Sequence, residues 1–301
     1  MCNVLIVGSL NVDVAIKSGR LPLRGETVVG SNYENLPGGK GANQASAAAN
    51  VGGKTTMLGC VGGDKYGSLM QSELQKAGID TSRLLVHKSS PTGTAFVMTD
   101  DNGDNSIIVI PGANGFCSKE YLKENEDVFA QAKCALFQLE IPLETVQEGI
   151  KLAHQHGAMV ILNPAPARTD IPDDIFGMVD LITPNETELS LLTGENCNDN
   201  SIETVEKAAR KLLSKGVKNV IVTLGSNGAL LVSENKCFHM AGEKVRAKDT
   251  TGAGDCFNGV LAVALAEGNN LIDAVTLANK AAAISVTRYG AFLTMPTREE
   301  L

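Results

Sequence analysis

The stretch DTTGAGDCFNG, residues 249–259, sets Gly252, Ala253 and Gly254 directly before a carboxylate, Asp255, and an apolar run starts at Phe257. In FNGVLAVALAEG the apolar residues recur at helical spacing, which puts Asp255 in or near the first turn of a helix. Two chemistries fit that position. Asp255 can be a cap that satisfies orphan N–H groups and complements the helix dipole. Alternatively, the small residues expose backbone N–H groups that hold a phosphate or a developing negative charge, and the carboxylate beside them takes a proton from an incoming hydroxyl.

Four further groupings could carry chemistry. GGKGANQASAAANVG (38–52) is a second glycine-rich lead-in to a helix: Gly38, Gly39 and Gly41 permit close backbone approach, while Lys40, Asn43 and Gln44 bring donors. It lacks the spacing of a P-loop, and a tight turn into an Ala-rich helix explains it equally well. In GSLNVDV (8–14), Asn11 and Asp13 fall on one side of an extended segment, an arrangement suited to vicinal hydroxyls or to capping a turn. Glu140 follows the apolar ALFQL, where a buried carboxylate needs partners, or serves as an acid ahead of the helix begun by IPLETV. Asn185 and Glu188, three apart after the strand ending LITP, could order Mg²⁺ and its waters beside a polyphosphate, or form a capping box. His154 and His156 have no ligand spacing and read as solvated, and Cys256 reads as a packed thiol.

The elements that must position these residues follow from periodicity. From Cys134 onward, apolar runs (135–139, 159–162, 179–183, 219–224) alternate with amphipathic helical segments (143–157, 202–216). This predicts an α/β fold with a mostly parallel sheet covered on both faces. NPAPA (163–167), TPNETE (183–188) and TLGSNG (223–228) follow strands, where ligands bind in such sheets. VIVTLGSNGALLV also reads as two strands around a glycine turn. In the first third, segments at 11–17, 26–39, 92–100 and 105–110 are not spaced by helices, and DDNGD (100–104) marks a turn. They predict a small antiparallel sheet projecting from the core, able to act as a lid or to pair with another subunit.

Composition narrows the partners. The 301 residues suffice for one large α/β domain, and a net charge of −8 disfavours a nucleic-acid binder with a broad basic surface. Seven scattered cysteines without a CxxC pair suit reduced thiols in a cytoplasmic protein. MCNVLIVGSLNVDV has no basic leader and reads as a buried strand, and no apolar stretch is long enough to span a bilayer.

Taken together and in this order, GGKGANQA, NPAPA, TPNETE, TLGSNG and DTTGAGDCFNG resemble the signatures of the ribokinase family of carbohydrate kinases, the PfkB group, from GSLNVD to AAAISVTRYGA. The resemblance implies a single kinase domain over 1–301, with a lid sheet from about 11–38 and 92–111. It implies ATP-dependent phosphorylation of the 5-hydroxyl of D-ribose, giving ribose 5-phosphate and ADP; a 2-deoxyribose or other pentose kinase, or a non-catalytic sugar- or nucleotide-binding protein, are the alternatives. Asp255 would be the base, with Gly252, Ala253 and Gly254 as the anion hole. Asn11, Asp13, Gly39, Lys40, Gly41, Asn43, Glu140 and Asp255 would hold the sugar. Asn185, Glu188, Thr223, Gly225, Gly228, Gly254 and Asn279 would border ATP and Mg²⁺. A monovalent activator, K⁺, would lie by Asp249, Thr251, Ser285, Arg288, Gly290 and Thr294, although AFLTMP departs from the family's usual xPS around Thr294. Also implied are a homodimer through the lid, and a terminal helix after PTREEL without which that end would fray.

Overall fold

The computed structural model describes residues 3–197 and 201–301, so Cys2 lies outside the described residues. The elements run β1 (Asn3–Val7), β2 (Asn11–Ser18), β3 (Gly30–Gly38), α1 (Lys40–Asn50), β4 (Lys54–Leu58), β5 (Cys60–Gly62), α2 (Lys65–Lys76), β6 (Leu85–His87), β7 (Gly93–Thr99) and β8 (Asn105–Ile110). Next come α3 (Lys119–Glu124), α4 (Glu126–Gln131), β9 (Cys134–Phe137), α5 (Leu143–Gln155), β10 (Met159–Leu162), β11 (Leu181–Ile182), α6 (Glu186–Thr193) and α7 (Ile202–Ser214). The chain finishes with β12 (Asn219–Thr223), β13 (Ala229–Ser233), β14 (Lys236–Met240), α8 (Ala253–Ala266) and α9 (Leu271–Ser285).

Eight strands form one sheet in the order β14-β13-β12-β11-β10-β9-β1-β4. From β12 to β4 every pairing is parallel; β13 and β14 add an antiparallel edge, the glycine-turn hairpin expected from VIVTLGSNGALLV. The strands are apolar on both sides because helices cover both faces. On β1, Val4 and Ile6 join a core with α1, α8 and α9, while Leu5 and Val7 join the opposite core with Phe137, Val146 and Ile150. Each such side chain, once fully buried, contributes about 1.5–3 kcal/mol. Helix α8 is buried on nearly every side. Gly259 lets it approach α1 closely, since a Cβ there would lie 2.4 Å from the Gln44 carbonyl oxygen. That contact brings the start of α8 beside the start of α1.

The second sheet has the order β3-β2-β7-β8. It is mixed rather than antiparallel as expected: β2 and β7, from separated pieces of chain, pair in parallel at its centre. Between them the chain returns to the large sheet as α1 and β4, and α2 also lies in this stretch. The first third is therefore interleaved with the core. The end of the chain is not frayed: Thr297 and Glu300 form a capping box, Arg298 pairs with Glu267 at 2.8 Å, and Lys280 Nζ donates to the Leu301 carbonyl at 2.6 Å. No helix among the described residues is long and apolar enough to cross a membrane.

Candidate active site

NPAPA, TPNETE and TLGSNG follow β10, β11 and β12, and Glu140 lies beyond β9, all past the carboxyl ends of parallel strands. Helix α8 starts at Gly252, whose left-handed backbone (φ +75°) turns the chain into the helix with no side-chain cap. Around Gly254 a Cβ would meet nothing within 4 Å, so the first turn opens onto free space. Asp255 does not cap its own helix. Its Oδ2 accepts from Asn43 Nδ2 at 2.9 Å and its Oδ1 from Gln44 Nε2 at 2.8 Å, both amides coming from α1. Asp255 as a whole is 7% exposed. Burial raises its pKa and the Glu140 charge adds to this, whereas Lys40 and the two amide donors oppose the rise.

The other glycine-rich lead-in behaves differently. At the start of α1 the Lys40 N–H donates to Glu140 Oε2 (3.1 Å), Gly41 N–H to Ser9 Oγ (3.3 Å) and Ala42 N–H to the Ser9 carbonyl (3.0 Å). Ser9 Oγ in turn donates to Glu140 Oε2 at 2.5 Å. GGKGAN therefore forms no open anion site, and Glu140 caps α1 instead of leading into α5. Gly39, at φ +89°, lies against the Asn11 backbone nitrogen. Burial lowers the pKa of Lys40, but Asp255, Glu140 and Glu188 together outweigh it and the net direction is upward, so the ammonium stays charged.

Asn11 Oδ1 accepts from Asn114 Nδ2 at 2.8 Å, and Asn114 also bonds the Leu10 N–H and carbonyl. Asp13 accepts no hydrogen bond from the described residues. Burial, then the charges of Glu140 and Asp255, push its pKa up to about 6. Asn43 Oδ1, beside Asp255, is buried without a partner among the described residues. These are the groups a polyhydroxyl ligand would satisfy.

On the opposite flank, Asn185 and Glu188 form the capping box: Asn185 Oδ1 accepts from the Glu188 N–H (2.8 Å) and Glu188 Oε2 from the Asn185 N–H (2.9 Å). Burial raises the Glu188 pKa; the Asn185 N–H and Lys40 act against it. Asn185 bridges to Thr223, whose N–H donates to the Pro184 carbonyl at 3.0 Å. The Leu224 N–H closes the Gly225–Asn227 turn on the Gly228 carbonyl (2.8 Å), and Gly228 packs on the Met240 carbonyl. Asn279 on α9 reaches that same carbonyl at 3.5 Å. Asn185, Thr223, Gly228 and Asn279 are thus linked across the start of α6, the end of β12, the turn before β13 and α9.

Asp249 ties two loops together, accepting from the Thr251 N–H (Oδ1) and the Gly290 N–H (Oδ2), each at 2.9 Å. Burial would raise its pKa, but these donors prevail and hold it below the usual carboxylate range. Ser285 Oγ and Thr294 Oγ1 turn back to the carbonyls of Ala282 and Gly290. The Arg288 guanidinium is engaged by Glu300 and the Thr294 carbonyl, so only its main-chain oxygen could face a cation. Cys256 is buried and its thiol is pushed up to about 12, as a packed side chain.

Several contributors were not singled out from sequence. Ser9, Asn163 and Asn258 lie inside GSLNVDV, NPAPA and DTTGAGDCFNG, and Gln44 was noted only as one more donor. Asn114 and Gln138 gave no signal, because their partners are about 100 residues away in the chain.

An open helix start next to a buried acid, with unpartnered acceptors on one flank, is what moving a phosphoryl group onto an alcohol requires, and fold and site define an enzyme of that class. The chain belongs to the pfkB family of carbohydrate kinases, whose model matches residues 1–298. Among curated relatives, the ribokinase of Haemophilus influenzae is 40% identical over 295 residues, 98% of this chain and 95% of the relative. Among solved structures, Thermotoga maritima ribokinase aligns with a TM-score of 0.91 at 42% identity, covering 100% of this chain and 98% of that one. Arabidopsis thaliana ribokinase, solved with ribose and ATP, aligns at 0.93 and 34% identity, covering 100% and 97%.

Proposed function

We propose that this protein transfers the γ-phosphoryl group of ATP to the 5-hydroxyl of D-ribose, releasing ribose 5-phosphate and ADP. The observation that carries the reading is the unpartnered, buried Asn43 Oδ1 beside Asp255, next to the uncapped start of α8. In this reading Asn11, Asp13, Lys40 and Asn43 orient the sugar. Asp255 takes the hydroxyl proton, and the Gly252–Gly254 backbone receives the transferring group. Even with its pKa raised by burial, a carboxylate is a weak base toward an alcohol; the loose transition state of phosphoryl transfer needs positioning and charge stabilisation more than basicity.

The residues fit the ions that the family resemblance implies. Glu188 keeps Oε1 outside the capping box and, with Asn185, offers hard oxygen donors for Mg²⁺ beside the phosphates, where the ion would neutralise developing charge. The Asp249 and 285–294 loops offer an ionised carboxylate and carbonyls, an all-oxygen set suited to K⁺. We place the whole chain in one kinase domain, with the four-stranded sheet, built from segments within 11–38 and 92–111, as its lid. The exposed Tyr33, Ile108 and Ile110, which the strand registers put on one face of that sheet, support a homodimer through it, and the scattered thiols support a cytoplasmic setting.

The test is ADP formation with ATP and Mg²⁺ across ribose, 2-deoxyribose, fructose, adenosine and fructose 6-phosphate, with K⁺ or Na⁺, using the unaltered chain and Asp255→Asn. Ribose-dependent turnover that rises with K⁺ and falls about 10²- to 10⁴-fold in the variant is expected. Turnover on another acceptor keeps the mechanism and moves the substrate; ATP binding without turnover on any of them overturns the reading.

A further inference from the structure

The hydrogen bonds at Asp255 continue behind it into the sheet. Gln44 is fully buried, and every polar group of its amide is used: Oε1 accepts from Gln138 Nε2 (2.6 Å), while Nε2 donates to Asp255 Oδ1 (2.8 Å) and Asn163 Oδ1 (3.0 Å). Asn163 Nδ2 donates to the Thr183 carbonyl (3.1 Å), Thr183 Oγ1 to Asn258 Oδ1 (2.6 Å), and Asn258 Nδ2 to the Gly254 carbonyl (2.8 Å). One buried chain of amides and a hydroxyl thus runs from Gln138, just past β9, through Gln44, which also holds the acid, to the backbone of the anion hole. Gly8 leaves room for it, since a Cβ there would fall 1.9 Å from Gln138 Oε1.

We infer that Gln44 is a positioning residue for the transfer step, fixing the rotational setting of the Asp255 carboxylate; the inference rests on the kinase reading above. Turning the Gln44 amide over would set its carbonyl against two acceptor oxygens, Asp255 Oδ1 and Asn163 Oδ1, so the donor toward Asp255 is held in place. Asn43 grips the second carboxylate oxygen from the preceding position on α1. With both oxygens held, the remaining lone pairs point in fixed directions, and a misplacement near 1 Å can cost about 10²-fold in rate. The charged groups facing Asp255 are Lys40 on α1, Asp13 on β2, Glu140 after β9 and Glu188 on α6. Gln44 is neutral, so replacing it by an apolar residue changes the clamp without changing the charge.

The experiment compares Gln44→Met and Gln44→Glu with the unaltered chain by the pH dependence of kcat, KM for ribose, thermal melting and ATP binding. Gln44→Met is expected to bind ATP normally, to lose about 10²-fold in kcat with ribose KM changed less than about threefold, and to move the acid limb of the kcat profile up by about one pH unit through loss of a donor to the carboxylate. In Gln44→Glu the protonated side chain reproduces the donor, so its rate relative to the unaltered chain rises as pH falls toward about 6; at higher pH two carboxylates meet and the rate drops. Gln44→Met at the unaltered rate, or a loss in rate with an unmoved acid limb, overturns the inference alone. No ribose-dependent ADP from the unaltered chain overturns the kinase reading and this inference with it.

Discussion

Replacing Asp13 by asparagine should make the free protein more stable and a poorer binder of ribose. Asp13 is largely buried and accepts no hydrogen bond from the described residues, and its carboxyl titrates at about 6 rather than 3.8. The folded state therefore holds a proton between about pH 4 and 6 that the unfolded chain has released. Stability is highest on the acid side of that window and is lost as pH rises through it. At about 1.36 kcal/mol per tenfold change in proton affinity, the full penalty above pH 6 is up to about 3 kcal/mol. The neutral amide of the variant carries no such penalty, so its stability gain over the unaltered chain should be close to zero near pH 4 and approach about 3 kcal/mol at pH 8. Urea unfolding of both proteins without ligand at several pH values measures this. Ribose binding by calorimetry should weaken about 10- to 100-fold in the variant, the worth of a hydrogen bond to a charged acceptor. A variant no more stable at pH 8 than at pH 4, relative to the unaltered chain, would refute the idea that Asp13 stands strained for its ligand.

Gly252→Ala forces a Cβ into left-handed backbone and to within 2.7 Å of Ala291 Cβ; a loss of at least about 1–2 kcal/mol in urea unfolding is expected, with kcat reduced more than KM. Glu188→Gln preserves the capping-box geometry, so stability should change by less than about 1 kcal/mol, while the Mg²⁺ concentration for half-maximal rate rises. An unchanged Mg²⁺ dependence would leave Glu188 as a cap and nothing more.

Much of the candidate site's local geometry was legible because the residues concerned are neighbours in the chain. The acid at 255 and the glycines before it occupy one turn, and the Asn185–Glu188 box is a four-residue pattern that the structure reproduces. The parallel sheet followed from apolar runs separated by amphipathic helices, and the β12–β13 hairpin from its glycine turn. What sequence could not show are links between distant residues. The parallel pairing of β2 with β7 joins residues 11–17 to 93–99, and no turn signal announces such a partnership. Helix α2 was missed because YGSLMQSELQK buries only Gly67, Met70 and Leu74, too sparse a stripe to stand out. The two glycine-rich lead-ins look equivalent on paper; they differ because the acid that closes the start of α1 is 100 residues further along.

That distant acid also divides the molecule by stretch of chain. On the proposed reading, the sugar-holding candidates come from Ser9 to Glu140, joined by Asp255, whereas the nucleotide candidates come from Asn185 to Asn279. The two stretches are not independent: Asp255, in the second, takes both of its side-chain donors from Asn43 and Gln44 of α1 in the first. Sugar and nucleotide should therefore leave separate footprints in amide hydrogen exchange. The sugar slows exchange at the start of α1, the nucleotide slows it around 223–228, and the opening turn of α8 responds to both.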